Sequence, residues 1–177
     1  MKLPITSVAS ERREAAFSRR EGLMLFGLGA AGLVVRPGRL MAAGETHTVT
    51  AHNRAPDGAQ MAFAPAVLHI APGDTVDFRH ADRGHNVQSF DEMQPDGGVS
   101  FGGTIGEEIS VTFDVEGTYG YFCQPHLAMG MIGYVLVGDF TINLDQVRTT
   151  SNALRGPMAA RRVEEYFEQI ALIGSGV

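Results

Sequence analysis

An all-β Greek-key sandwich carrying two packed C-terminal helices is the fold this sequence predicts. Three observations lead there. The 177-residue chain has 22 glycines and no tryptophan, a composition suited to many tight turns. From Glu45 to Asp139, short segments of alternating polarity are separated by turn residues, the signature of strands in a sandwich or barrel. After Asp139 the apolar period lengthens from two to nearly four residues, the helical spacing.

Each element follows in order. Thr46–Ala51 alternates like a half-buried strand. Ala66–Ile70 leads into the turn Pro72-Gly73-Asp74, then Thr75–Phe78. Ile109–Phe113 alternates cleanly, Glu116-Gly117 turns the chain, and Thr118–Cys123 and Ile132–Val137 complete a set of six to eight strands. Gly97-Gly98 and Gly102-Gly103 read as loop punctuation, because no strand-loop-helix frame for a phosphate surrounds them. Asn143 is expected to cap a helix from Leu144 to about Thr150. Gly156-Pro157 then opens a second helix, whose Val163, Tyr166, Phe167 and Ile170 form one apolar stripe opposite Arg161, Glu164, Glu165 and Glu168. Residues 44–140 are thus expected to be the sandwich and 141–177 a helical extension of the same domain.

The first 43 residues have the layout of an export signal. Ser18-Arg19-Arg20 is followed by an apolar stretch from Leu23 to Val35 and by the small residues Ala42 and Ala43. The segment resembles a twin-arginine signal, with Gly22 where an aromatic residue is usual; the alternatives are an ordinary secretory signal or an uncleaved membrane tether. It is too short to span a bilayer. Cleavage near Ala42 or Ala43 would release a periplasmic protein with no membrane span. Residues 44–177 hold seven basic groups, all arginine, against seventeen acids, a net of −10. Such a body excludes nucleic acid as a partner and favours a basic one.

Chemistry concentrates in Cys123-Gln124-Pro125-His126-Leu127-Ala128-Met129-Gly130-Met131, which holds the only cysteine. A thiolate, an imidazole and a thioether fall within nine residues. Pro125 stiffens the loop and Gly130 lets the chain turn back. With a second imidazole from His85, they make up the His2Cys plane and weak axial methionine of a blue copper centre. Structural zinc would usually have two or more cysteines, and catalytic zinc three strong ligands and water. Copper, one type 1 ion per chain on His85, Cys123, His126 and Met131, is therefore the expected cofactor. His47, His52, His69 and His80 are scattered without a paired motif and read as ordinary strand or surface residues.

Gly84-His85-Asn86-Val87, Tyr119-Gly120-Tyr121-Phe122-Cys123-Gln124-Pro125-His126, Met129-Gly130-Met131, Phe63-Ala64-Pro65-Ala66 and Ala71-Pro72-Gly73-Asp74-Thr75-Val76 resemble the pseudoazurins, bacterial members of the cupredoxin family. The resemblance covers about residues 45–172. It implies an eight-stranded cupredoxin sandwich with the four ligands named above. It also implies that Asn86 ties the two ligand loops together and donates its backbone N–H to the thiolate. Met61 would lie close to the exposed histidine ligand. One departure stands out: pseudoazurins typically present lysines around the copper face, whereas this chain has no lysine after Lys2.

The expected function is a monomeric periplasmic carrier cycling Cu(II) and Cu(I). Its partners would be a c-type cytochrome or a copper or haem reductase with a basic docking face. Electrons would pass through a collar of Pro125, Leu127, Ala128, Met129 and Met61 around His126. The chain is not expected to be an enzyme. A multicopper oxidase or copper nitrite reductase would need further histidine-rich sites and a second domain. The alternative is a copper-delivery protein, which would want exposed, exchangeable ligands.

Overall fold

The structure is a computed structural model that describes residues 44–176; the export signal expected over 1–43 lies outside the described residues. Eight strands form: β1 (Thr46–Arg54), β2 (Gln60–Ala64), β3 (Val67–Ile70), β4 (Asp74–His80), β5 (Gln88–Ser89), β6 (Ile109–Phe113), β7 (Gly117–Phe122) and β8 (Ile132–Val137). They make two four-stranded sheets, ordered β2-β1-β4-β6 and β3-β8-β7-β5. β1 runs parallel to β4 and β3 parallel to β8; the other pairs are antiparallel.

Alternation explains the space between the sheets. Val49 and Ala51 of β1, Val76 and Phe78 of β4, Val111 and Phe113 of β6, Tyr119 and Tyr121 of β7 and Val135 and Val137 of β8 all point into one buried core. Aromatic rings meet edge-on there: Phe63 and Tyr121 have centroids 4.9 Å apart, and Phe113 and Tyr119 are likewise 4.9 Å apart. Such contacts favour one packing over its alternatives.

β8 is buried at all six positions. Its odd-numbered valines face the sandwich core, whereas Ile132, Tyr134 and Leu136 face a second core under the helices. A strand covered on both faces reads as a continuous apolar run, which is why Ile132–Val137 lacks alternation. The cover is α1 (Leu144–Asn152) and α2 (Pro157–Gly174). The expected stripe of Val163, Tyr166, Phe167 and Ile170 is buried against this face, and Arg161, Glu164, Glu165 and Glu168 are exposed.

Helix entry differs from expectation at α1. Asn143 makes no side-chain capping bond. Its Oδ1 instead accepts from the Thr118 backbone N–H at 2.7 Å and its Nδ2 donates to Thr118 O at 2.9 Å. The amide is thus spent on the start of β7, where a buried peptide group would otherwise lack partners. Pro157 does open α2, after Gly156 at φ 109°.

Candidate metal centre

β7 and β8 are neighbours whose last ladder pair is Phe122↔Ile132. The connection between them, residues 123–131, is therefore a hairpin loop with Cys123 and Met131 at its two roots. The Cys123 N–H donates to Met131 O at 3.0 Å, and the Met131 N–H to His126 O at 3.2 Å. Pro125 falls in the first turn of the 3-10 segment Gln124–Met129, and Gly130 ends it with φ 76°. A Cβ on Gly130 would meet the Met158 carbonyl oxygen at 2.9 Å, so glycine is needed there for conformation and for space.

This loop meets the one after β4. Cys123 Sγ lies 3.7 Å from His85 Nδ1 and 3.3 Å from His126 Nδ1. These three donor atoms all fall within 4.8 Å of one another. His85 and Cys123 are fully buried, whereas His126 is half-buried. Met131 is fully buried in the sandwich core cluster that also holds Cys123. Two nitrogen donors and one thiol at this spacing suit a soft or borderline metal ion.

Asn86 bridges the loops. Its Oδ1 accepts from the Gln124 N–H at 2.8 Å and its Nδ2 donates to Gly103 O at 3.2 Å. Burial pushes the Cys123 thiol above its ordinary range, and the backbone N–H groups of Asn86 and His126, which favour the thiolate, pull against that. Burial pushes the His85 imidazole down, helped by His126 and His80. Both influences favour the neutral imidazole, which has a lone pair to offer.

Two neighbours carried no sequence signal. Asn53, near the end of β1, places Oδ1 3.1 Å from His85 Nε2. Accepting from an Nε2–H fixes the tautomer that leaves Nδ1 free for a metal. His80 lies parallel to His85 with ring centroids 6.5 Å apart, so it belongs to the site's surroundings and not merely to a strand face. Around His126, Pro125, Ala128 and Met129 are exposed and Met61 is half-buried. Leu127 departs from the expected collar: it packs against the helix-side core.

The profile of the family described as copper binding proteins, plastocyanin/azurin family, matches residues 49–138. A pseudoazurin of Methylorubrum extorquens is 38% identical over 131 residues, 74% of this chain and 86% of the relative. One from Paracoccus pantotrophus is 42% identical over 104 residues, 59% and 71% of the two chains.

The chain belongs to the pseudoazurin group of this copper-binding family.

The crystal structure of pseudoazurin from Methylobacterium extorquens AM1 superposes with a TM-score of 0.64 at 37% identity, covering 71% of this chain and 99% of that one. Native pseudoazurin from Hyphomicrobium denitrificans gives 0.62 at 31% identity, covering 70% and 97%. Copper is therefore the cofactor, and blue copper electron transfer the function at its coarsest. The eight strands and C-terminal helices are the cupredoxin fold expected of the family. No described helix is long and apolar enough to cross a membrane.

Proposed function

We propose that the protein is a periplasmic one-electron carrier, not an enzyme, in which His85, Cys123, His126 and Met131 would hold one copper ion. The observation that carries this reading is the convergence of three donor atoms within 4.8 Å on two loops cross-tied by Asn86. Copper supplies a Cu(II)/Cu(I) couple that accepts and returns one electron.

The protein's own groups do the rest. Cys123 gives up its proton to become a ligand, as metal binding requires, and the Asn86 and His126 N–H groups favour the resulting thiolate. Asn53 orients His85 from outside. Burial of His85 and Cys123 keeps water from the centre and limits rearrangement between oxidation states. His126 alone among the three reaches partial exposure, so its edge is the exit for electrons, framed by Pro125, Ala128, Met129 and Met61. Buried ligands on a braced loop favour a carrier over a copper-delivery protein.

Residues 1–43 would direct export. A net charge of −10 on residues 44–177 would steer basic docking faces, on a c-type cytochrome or a copper or haem reductase, toward a monomeric carrier. The test is a copper titration of the processed protein followed by redox cycling against a basic c-type cytochrome. An intense visible band should appear, bleach on reduction and return on oxidation, with exchange slowing as salt rises. A colourless complex, or one that does not cycle, would overturn the carrier; salt-independent rates would overturn the steering.

A further inference from the structure

Arg162 lies on the buried face of α2 and is 4% exposed. No carboxylate pairs with it among the described residues. Burying an unpaired guanidinium is unfavourable unless its donors are satisfied. Here the planar fork is turned on backbone carbonyls: it donates to Met61 O at 2.6 Å, to Gly130 O at 2.9 Å and to Gln60 O. Arginine suits this task because its donors are held in fixed directions.

The identity of those carbonyls is informative. Met61, at φ 47°, is the one non-glycine with positive φ among the described residues, and Gly130 is at φ 76°. Left-handed backbone is disfavoured for a methionine unless its surroundings hold it. Gly130 immediately precedes Met131, whose backbone closes the hairpin on Cys123 and His126. On the other side, Met61 falls across from Asn53, between the register pairs His52↔Ala62 and Arg54↔Gln60. Asn53 is the residue that bonds His85. One guanidinium thus grips the backbone one residue from a candidate ligand and one strand-pairing from the support of another.

We propose that Arg162 is a positioning residue of the metal centre. It clamps the 123–131 hairpin to the β1–β2 ribbon, and its uncompensated charge disfavours the more highly charged state of the bound ion. The second half rests on the copper reading; the first stands without it.

Arg162→Lys keeps the charge but loses the fork, Arg162→Met loses both, and Arg161→Met, at the exposed neighbour paired with Glu165, is the control. In copper-free protein, amide hydrogen exchange at Cys123 and Met131 should quicken at least about tenfold in both Arg162 variants, beyond any change at Tyr119 and Val135 in the same sheet. In copper-loaded protein, Arg162→Met should lower the Cu(I)-over-Cu(II) affinity ratio by up to about tenfold, ~59 mV for one electron. Arg162→Lys should recover most of that potential without recovering the slow exchange. Uniformly faster exchange across the sheet, or a lower melting temperature with exchange at Cys123 and Met131 unchanged, would overturn the clamp. An equal potential in Arg162→Met and wild type would overturn the charge effect. Should Arg162→Met fail to fold, Arg162→Lys still decides the clamp, by exchange at Cys123 and Met131, and the charge effect, because a potential lowered in that charge-keeping variant as far as ~59 mV would overturn it. Should the wild type not take up copper, the copper reading falls while the exchange comparison remains.

Discussion

The two ends of the sandwich treat buried polar groups in opposite ways. Where β4 and β7 begin, such groups are closed on one another. Asp74 accepts from the backbone N–H of Glu45 at 2.8 Å and of Ala71 at 2.9 Å, and its Oδ2 lies 3.0 Å from His47 Nε2. Asn143 satisfies both backbone groups of Thr118. Where β4 and β7 end, His85, Cys123 and His126 are gathered instead, and burial biases the thiol and the His85 imidazole toward their uncharged forms. At Asp74 burial also raises the carboxyl pKa, but His47 and the two amides outweigh it, and the net shift is downward. One end is hydrogen-bonded for stability. The other holds lone pairs in place for a cation.

Cys123→Ser breaks this contrast most severely. A hydroxyl cannot give the thiolate-to-copper transition, so the intense visible band of copper-loaded protein should be lost completely. Absorption spectroscopy reads the result directly, and a retained blue colour would move the thiolate role away from Cys123.

Asn143→Ala strikes the opposite end. It leaves the Thr118 N–H and C=O buried without partners, at a cost of about 2–4 kcal/mol. Thermal unfolding should begin several degrees lower. The visible band of the copper-loaded variant should stay where it was, because the hairpin roots and Asn86 are untouched. A shifted band would show that the two ends are coupled and the contrast is false.

How much of this was legible in the sequence depends on how local each signal is. Strand alternation, a short continuous apolar run and the 3.6-residue stripe are local, so Ile109–Phe113, Ile132–Val137 and the apolar face of α2 can each be read directly. The Cys123–Met131 run was legible for the same reason: one hairpin loop carries three candidate donors. Asn143 reads as a cap in the sequence because its true partner, Thr118, is 25 residues away. Asn53 gave no signal at all, since its role comes from β1 ending beside the His85 loop. Arg162 left a trace, a cation three residues after buried Ala159 and four before buried Tyr166, but which carbonyls it meets depends on how α2 lies across the loop. Leu127 reads as a surface residue because the sequence does not show that a helix covers its side of the loop.

The smallest expected effect sharpens the comparison by pH, in copper-free protein. His85 has its pKa lowered from the ordinary 6.5 by burial, then by His126 and His80. As pH falls below about 6.5 the unfolded chain takes up this proton first, so stability declines until folded His85 protonates too. Cys123 has its pKa raised from 9.0, chiefly by burial. As pH rises through about 9 the unfolded chain loses the proton first, and stability declines again. Asp74 has its pKa lowered from 3.8, so its contribution is full above that value and is lost only as pH falls through the folded value. Melting temperature against pH should therefore fall in both directions from a neutral maximum, with the acid decline setting in near 6.5, well before Asp74 can contribute. Copper bound as proposed would hold His85 unprotonated, and should delay that first decline and leave the Asp74 step in place. A melting temperature flat between pH 7 and 5 without copper would mean that the metal end is not the pH-sensitive one, and the two ends would differ only in their ligands.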